Sequence, residues 1–320
     1  MKLRFWGTRG SVPAPGKDTI VYGGNTSCVE IALESGRKII IDSGTGIRAL
    51  GEEFLKKEEP VDIHLLITHI HWDHVWGFPF FAPIHDPTAR ITVDGSPNCM
   101  KGLKTPFGDK MGFFPVKFSD VKAEINYLDA LNRGPLEIDG VVVDTIPLQH
   151  PQGGVGFRFN DGKKKIVFIT DNELTEEMID GRQPEDYISF CEDADVLIHD
   201  AQYTLEEVGK RRGWGHTDYI TALHLATEAC AKRLILFHHD PSRKDSEIAS
   251  FVDHCRELAS KNKTDIIVDA AFVASVVKIF ACLDLEQNIS FMNWKLYIRL
   301  TPFGRVSGKS NLCVNLQSLL

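Results

Sequence analysis

Four potential metal ligands lie within six residues of this chain, in the segment T-H-I-H-W-D-H over residues 68–74. The segment directly follows the apolar run I-H-L-L-I of residues 63–67, which has the length and composition of a buried strand. The ligands therefore lie at the carboxyl end of a strand, where the chain can turn. Burying four such side chains without a metal would leave several polar groups unpaired. The sequence predicts a metal site around which the rest of the chain must fold.

The spacing inside this segment is suited to two ions. Residues i and i+2 of an extended chain face the same way, so His69 and His71 can hold one ion together. The turn that follows can direct Asp73 and His74 toward a second ion.

The order of the remaining elements predicts the fold class. Strands are predicted at residues 2–6, 27–33, 37–41, 63–67, 123–128, 141–148, 155–160, 164–170, 196–199, 233–238 and 265–268. Helices are predicted at residues 47–57, 205–212, 218–230 and 245–260. Strands dominate the first part of the chain, and strands and helices alternate later. With the sheets together and the helices outside, this order predicts an α+β fold, a four-layer αββα sandwich.

Single ligand candidates follow three of the later strands. His150 comes after the strand at 141–148, Asp171 after the strand at 164–170, and the pair His238-His239 after the apolar run L-I-L-F of residues 234–237. One such residue after a strand is common, but His, Asp and His in this order after the first segment form a strong pattern.

The run H-x-H-x-D-H, with the matching pieces downstream, resembles the signature of the metallo-β-lactamase fold hydrolases, and the resemblance covers residues 1–282. It implies the same αββα sandwich and a binuclear centre, and it favours His238 over His239. The implied ligands of one ion are His69, His71 and His150. Those of the other are Asp73, His74 and His238, with Asp171 bridging both. The resemblance also implies that Asp42 orients the metal loop, although an aspartate before a helix is equally an N-cap.

The expected cofactors are two divalent metal ions per chain. A ligand set of nitrogen and oxygen without cysteine suits zinc, manganese or iron, with zinc placed first. A cysteine in place of Asp73 or His150 would have indicated the lactam-cleaving branch, and neither position has one.

Two ions can lower the pKa of a shared water, which then needs no protein nucleophile, but the leaving alkoxide still needs a proton. The segments H-D-A-Q (199–202) and G-H-T (215–217) resemble motifs of tRNase Z and its phosphodiesterase relatives. The resemblance implies that His216 contacts the phosphate or protonates the leaving oxygen, and that Asp200 orients it. The catalytic residues are then Asp73, Asp200 and His216. Alternatively, His216 is exposed and Thr217 and Asp218 cap the next helix. Asp200 is also shorter than the glutamate of the relatives.

Two observations bear on the substrate. The relatives that process tRNA carry a long glycine- and proline-rich arm between the third and fourth motifs, whereas His150 and Asp171 are only 21 residues apart here. The net charge is −8, from 36 basic and 44 acidic residues, which disfavours nucleic acid as a partner. We therefore expect hydrolysis of a small, cyclic phosphodiester, such as a cyclic nucleotide or a sugar cyclic phosphate, by metal-activated water. The segments 23–28, 113–116 and 150–153 look like those of such phosphodiesterases.

Three alternatives stay open: a tRNase Z-like endonuclease that processes RNA 3′ ends, a lactone, thioester or lactam hydrolase, and a metal-binding sensor without activity. A hydrolase domain is predicted over residues 1–282, followed by an extension of unknown role over 283–320. Residues 99–120 have the composition of a lid or a homodimer contact. Seven cysteines without a C-x-x-C pair, and no signal peptide or membrane span, predict a cytoplasmic protein.

Overall fold

A computed structural model describes residues 1–57, 60–108, 115–174, 182–273 and 276–278. The strands are β1 (Lys2–Gly7), β2 (Cys28–Ala32), β3 (Lys38–Ile41), β4 (Asp62–Ile67), β5 (Arg90–Gly95), β6 (Glu124–Tyr127), β7 (Leu136–Ile138), β8 (Val141–Pro147), β9 (Val155–Asn160), β10 (Lys165–Ile169), β11 (Val196–Asp200), β12 (Arg233–Phe237), β13 (Ile267–Ala270) and β14 (Val276–Lys278). The α-helices are α1 (Ile47–Leu55), α2 (Trp72–Val75), α3 (Cys99–Lys104), α4 (Pro184–Cys191), α5 (Leu205–Lys210), α6 (Tyr219–Glu228) and α7 (Asp245–Lys261).

Within the described residues the strands form two seven-stranded sheets that repeat one plan. The first has the order β14-β1-β2-β3-β4-β5-β6, and the second has the order β13-β12-β11-β10-β9-β8-β7. In the first sheet, pairing is antiparallel up to β3 and parallel from β3 to β6. In the second, pairing is antiparallel from β7 to β10 and parallel from β10 to β13. The carboxyl ends of the parallel strands are therefore available at one edge of each sheet.

Three apolar cores separate the layers. The central core lies between the sheets and joins β1–β4 to β8–β12, with Phe5, Phe168 and Phe237 among its fully buried rings. A second core packs α4, α6 and α7 on the outer face of the second sheet. A third packs α1 and α3 on the outer face of the first sheet. This α-β-β-α layering confirms the predicted α+β sandwich.

The predicted elements differ from the observed ones in detail. The strands β5, β7 and β14 and the helices α2, α3 and α4 were not predicted, since all but α4 have six residues or fewer and short segments show no clear period. The last predicted strand, 265–268, is observed two residues later as β13.

One compact unit extends from Met1 to Ile279. The predicted boundary at residue 282 and the extension 283–320 lie outside the described residues, as does part of the predicted lid or dimer contact, residues 109–114. None of the helices in the described part has the length and apolar character needed to cross a bilayer.

Candidate metal centre

The predicted ligands converge because both sheets deliver them from strand ends. The first ligand segment, residues 68–74, follows β4, and its second half forms the short helix α2. Asp171 follows β10, His238 follows β12, and His150 comes from the loop after β8. Since β4, β10 and β12 all belong to the parallel parts of their sheets, their carboxyl ends meet at one place.

Three strands, β3, β10 and β12, are each followed by a residue with left-handed backbone conformation. Asp42 after β3 has φ 61°, Asp171 after β10 has φ 56°, and His238 after β12 has φ 56°. Aspartate and histidine are among the non-glycine residues that are enriched in this region, which costs about 1 kcal/mol or more. The sharp exit turns each side chain away from its strand and toward the shared centre.

The first set of ligand atoms, the outer group, consists of the imidazoles of His69, His71 and His150. The distance from His71 Nδ1 to His69 Nε2 is 3.1 Å, and the distance from His71 Nδ1 to His150 Nε2 is 2.9 Å. His69 is buried, whereas His71 and His150 are partly exposed. Three imidazole nitrogens that face one another at this distance can hold one ion.

The second set, the inner group, consists of Asp73, His74, Asp171 and His238, all of which are buried. Asp73 Oδ2 lies 3.2 Å from His74 Nε2 and 3.1 Å from His238 Nε2. This group contains both carboxylates of the predicted ligand set, so it combines full burial with negative charge.

Asp171 lies between the two groups and directs one carboxylate oxygen to each. Its Oδ2 lies 3.3 Å from His74 Nε2 and 3.2 Å from His238 Nε2. Its Oδ1 lies 3.8 Å from His69 Nε2 and 3.7 Å from His150 Nε2. A carboxylate in this position can bridge two ions, as the family resemblance implies.

The environment of His74 fits a bound cation. Its Nδ1 donates a hydrogen bond to Asp42 Oδ2 at 2.7 Å, while its buried Nε2 faces the carboxylates of Asp73 and Asp171 without the alignment of a hydrogen bond. Burial opposes charge on His74, but Asp73, Asp171 and Asp42 raise its pKa well above the usual value. A nitrogen that faces two carboxylates in a buried site requires positive charge between them, which a divalent metal ion supplies.

The other imidazoles of the site have different charge preferences. Burial and the neighbouring His74 lower the pKa of His69 well below its usual value. Burial lowers the pKa of His150 to about 4, although Asp171 opposes this. The imidazoles of His69 and His150 therefore present lone pairs. Burial works against charge on Asp171, but His238 and His74 hold its pKa well below the usual range.

Side chains behind the ligands fix their orientation. Asp42 also accepts hydrogen bonds from the backbone N–H and the hydroxyl of Thr68, at 2.8 and 2.9 Å. It holds the ligand loop and does not cap α1, whose N-cap is Gly46. His238 donates from Nδ1 to Gln202 Oε1 at 2.8 Å, and His71 donates from Nε2 to Gln152 Oε1 at 2.6 Å. Each amide therefore holds its ring so that the opposite nitrogen is directed toward the centre.

The two adjacent histidines after β12 have separate places. His238 lies in the inner group, while His239 Nε2 donates to the carbonyl of Ala271 at 3.0 Å. Close packing against the loop after β1 fixes the His238 ring, because a Cβ on Gly10 would lie 2.3 Å from His238 Nδ1.

The structure brings Asp200 and His216 together beside the ligands. Asp200 Oδ2 accepts a hydrogen bond from His216 Nδ1 at 2.7 Å, so the shorter carboxylate reaches the ring. Burial lowers the pKa of His216, but Asp200 more than offsets this and raises it to about 9. The alternative of an exposed His216 is wrong, since the ring is buried and stacks on His238 at a centroid distance of 5.0 Å. Asp218 alone caps α6 through the backbone N–H groups of Ile220 and Thr221.

A cleft of about 500 Å³ opens onto the centre. Its lining includes ligands from both groups, His216, Ser11, Gln152 and the indole of Trp72. Ser11 donates its backbone N–H to Asp73 Oδ2 at 2.7 Å. No role was predicted from the sequence for Ser11, Gln152 or Gln202. Their signal in the sequence is weak, because each lies in a turn near a motif and contacts its partner only through the fold.

Known proteins resemble this chain over most of its length. Ribonuclease Z of Bacillus cereus (strain AH187) is 25% identical over 318 residues, covering 84% of this chain and 97% of that protein. The metallo-β-lactamase fold protein YhfI of Bacillus subtilis superposes with a TM-score of 0.61 at 18% identity, covering 86% of this chain and 98% of YhfI. A diphosphatase of the PhnP family superposes with a TM-score of 0.60 at 16% identity, covering 88% and 99% of the two chains. The two structural similarities show that these proteins share the fold of this chain.

The family follows from the sequence itself. Residues 37–239 match the profile of the β-lactamase superfamily domain, which is more than half of the chain. The matched range begins just before β3 and ends just after β12, so it spans the strand ends that deliver the candidate ligands. The resemblance that the H-x-H-x-D-H run indicated is therefore confirmed: the chain belongs to the β-lactamase superfamily and is a metallo-hydrolase of that superfamily.

Proposed function

We propose that the protein is a binuclear metal-dependent phosphodiesterase that hydrolyses a small, cyclic phosphodiester. The observation that carries this proposal is the Asp200–His216 pair, hydrogen-bonded at 2.7 Å and adjacent to the ligand groups in one cleft. Hydrolysis of a lactone, thioester or lactam does not require such a pair, whereas an alkoxide that leaves a phosphate ester needs a proton donor.

The proposed ligands are His69, His71 and His150 for one ion and Asp73, His74 and His238 for the other, with Asp171 shared. Bound dications would act as Lewis acids toward the phosphoryl group and make water more acidic. The nitrogen and oxygen donor set is suited to zinc, and also to manganese or iron.

The chain's own residues supply the remaining chemistry. Asp200 holds His216 through Nδ1, which leaves Nε2 as the nitrogen that can serve a substrate. A pKa of about 9 keeps this ring protonated at neutral pH, as a general acid must be. Asp73, oriented by the Ser11 N–H, would hold its ion in a fixed position beside the reacting phosphate.

The size of the site supports a small substrate. A cleft of about 500 Å³ is in the range of small-molecule sites, roughly 300–1,000 Å³. The interval between His150 and Asp171 is filled by β9 and β10, which pair with each other in the second sheet. No arm of the kind that the tRNA-processing relatives carry is inserted there.

A second candidate is RNA 3′-end processing, because the relatives that match over 84% of the chain are named ribonuclease Z. It requires the same centre and the same Asp200–His216 pair, and it differs in how the substrate is held. A long RNA would need phosphate contacts outside the cleft, and its binding would weaken steeply with salt.

A substrate panel tests these proposals. Purified protein loaded with zinc or manganese is assayed against cyclic nucleotides, phosphoribosyl cyclic phosphate, bis(p-nitrophenyl) phosphate, nitrocefin and a tRNA precursor with a 3′ trailer. A His69→Ala variant purified in the same way controls for contaminating phosphodiesterases. We expect cleavage of one or more small phosphodiesters and an intact trailer. Efficient, salt-sensitive trailer removal would instead establish RNA processing, and hydrolysis of nitrocefin alone would overturn both.

The cysteines support a reducing compartment, and we propose the cytoplasm. Cys28, Cys99, Cys191 and Cys255 are buried free thiols, and Cys230 is an exposed one. An unpaired, exposed thiol is typical of proteins that are kept reduced.

A further inference from the structure

Trp72 presents a large aromatic surface at the rim of the metal cleft. It lies between two proposed ligands, His71 of the outer group and Asp73 of the inner group, and it lines the cleft with them. Its side chain is 66% exposed. Tryptophan is highly buried on average, so an indole that is two-thirds exposed beside a reactive centre needs an explanation.

The indole of Trp76 supports the indole of Trp72 from behind. The two residues are one helical turn apart, and their rings stack at a centroid distance of 4.5 Å with an interplanar angle of 19°. Trp76 is itself 48% exposed but does not line the cleft. The stacked pair holds the Trp72 ring in one orientation and so reduces the entropy that a ligand would have to remove.

The neighbouring aromatic residues show that this exposure is selective. Within residues 72–81, Phe78 and Phe81 are fully buried against the first sheet. Phe80 is 55% exposed but does not line the cleft. The fold therefore places two of these rings in the core, and of the exposed aromatic rings in residues 72–81 only that of Trp72 lines the cleft.

We propose that the exposed indole of Trp72 is the stacking platform for the base of a nucleotide substrate. This rests on the proposed phosphodiesterase function and narrows its substrate to nucleoside cyclic phosphates, in preference to sugar cyclic phosphates. In a nucleoside cyclic phosphate the base and the phosphate are attached to one ribose. A phosphate held between the ligand groups leaves the base in the same cleft, whose lining includes Trp72 beside His71 and Asp73.

The rest of the cleft fits a substrate whose base stacks on Trp72 and whose phosphate binds at the metal centre. Among the described residues, the lining of the cleft contains no lysine or arginine, so phosphate recognition falls to the metal centre and His216. Every base has a π-face, and stacking on an aromatic side chain is worth a factor of roughly 5 to 150 in binding. The platform therefore predicts a requirement for a base but little preference among bases.

The test compares two substrates that differ only in the base: uridine 2′,3′-cyclic phosphate and methyl riboside 2,3-cyclic phosphate. The measured quantity is the kcat/KM for the uridine ester divided by the kcat/KM for the methyl riboside ester. For Trp72→Ala we expect this ratio to fall roughly 5- to 150-fold, mainly because the KM for the uridine ester rises. Trp72→Phe should restore most of the ratio, since a phenyl ring also stacks. Trp214→Ala is the matched control, because Trp214 is 60% exposed but does not line the cleft, and it should leave the ratio unchanged.

Binding of reaction products separates this inference from the proposed function. Equilibrium dialysis of metal-loaded protein with uridine 3′-monophosphate and with methyl riboside 3-phosphate measures the contribution of the base without any turnover. If neither ester is cleaved but Trp72→Ala alone loses the preference for the nucleotide, the platform stands and the phosphodiesterase proposal fails. If both esters are cleaved equally well by the wild-type protein, the platform is overturned and the phosphodiesterase proposal stands.

The remaining occupant of such a surface would be a second copy of the chain. Sedimentation of wild type and Trp72→Ala tests this. A dimer that becomes monomeric in the variant, with an unchanged kcat/KM ratio, would show that the indole belongs to a protein interface and would overturn the proposal.

Discussion

The outer and inner groups begin in the same seven-residue segment, yet they are different chemical environments. The outer group holds three imidazoles, two of them partly exposed, whereas the inner group is completely buried and holds both carboxylates. The difference arises from what each half of the segment meets. His69 and His71 face the loop that carries His150, while Asp73 and His74 face the ends of β10 and β12.

Burial and charge together should make the two groups bind metal differently. Two carboxylates in a buried site attract a dication more strongly than neutral imidazoles at the edge of a cleft do. We therefore expect the inner group to hold its ion more tightly, and the outer group to lose its ion first to a chelator. Variants of individual residues in and around the two groups test this difference in metal affinity.

The largest effect is expected where the two groups meet. Asp171→Ala removes the carboxylate that faces both, so it should lower metal content from about two equivalents to one or fewer and reduce activity by at least roughly 10³-fold. Elemental analysis after loading and gel filtration measures the first, and turnover of the best small phosphodiester measures the second. Asp144→Ala, which removes a carboxylate paired with Arg158 away from the centre, is the control. Two retained equivalents with normal turnover would remove the shared-ligand interpretation.

His216 contacts rings of both groups. A variant at this position tests whether His216 is itself a metal ligand in either group. It stacks on His238 of the inner group and lies edge-on to His150 of the outer group. His216→Ala should leave metal content unchanged and slow a natural cyclic phosphodiester by about 10²–10⁴-fold, as loss of a general acid does.

The leaving group distinguishes the roles of His216. The same variant should lose much less activity on bis(p-nitrophenyl) phosphate, because nitrophenolate departs without a proton. Equal losses on both substrates would indicate phosphate binding or positioning, and a loss of one metal equivalent would make His216 a ligand.

The supporting hydrogen bonds allow the two groups to be weakened separately. Asp42→Ala removes the buried partner of His74, and we expect it to weaken the inner ion by about 10- to 100-fold. Gln152→Ala removes the exposed partner of His71, and we expect it to weaken binding of the outer ion by about 10-fold. Competition with a chelator at fixed free metal gives both affinities. A larger loss from Gln152→Ala than from Asp42→Ala would reverse the proposed order of the groups.

The smallest predicted difference is in protons released on metal binding. The pKa of His74 is raised well above its usual value, so at pH 7 an ion that binds Nε2 must displace a proton. Binding to the inner group should release about one proton, and it should weaken as the pH falls below that pKa. The pKa values of His69 and His150 are lowered, the latter to about 4, so these two ligands of the outer group should release none at pH 7.

Calorimetry in buffers of different ionisation enthalpy measures this release. His71→Ala isolates the inner group and His238→Ala isolates the outer one. Equal proton release in the two variants would contradict the contrast in charge.

The repeated plan of the two sheets was not visible in the sequence. Asp42 after β3 and Asp171 after β10 occupy comparable positions, each after a strand at the start of the parallel part of its sheet and each with positive φ. Asp42 orients a proposed ligand, His74, and Asp171 is itself a proposed ligand. The sequence gives the two turns, D-S-G and D-N-E, no common pattern that would reveal this correspondence.

The sequence by itself determined the fold class, the family and the identity of the candidate ligands. These follow from local rules: apolar runs form strands, polar residues at their ends cannot be buried without partners, and H-x-H-x-D-H is specific enough to indicate the superfamily. It also limited the choice after β12 to His238 or His239, both of which satisfy those local rules equally well.

Tertiary structure decided everything that depends on contacts between distant segments. It separated His238 from His239, showed that Asp200 reaches His216 across 16 residues, and assigned Asp42 to His74 across 32. It also left Trp72 exposed while burying Phe78 and Phe81. Aromatic residues close together in sequence carry the same apolar character, and only tertiary packing determines which of their rings enter the core and which stay exposed.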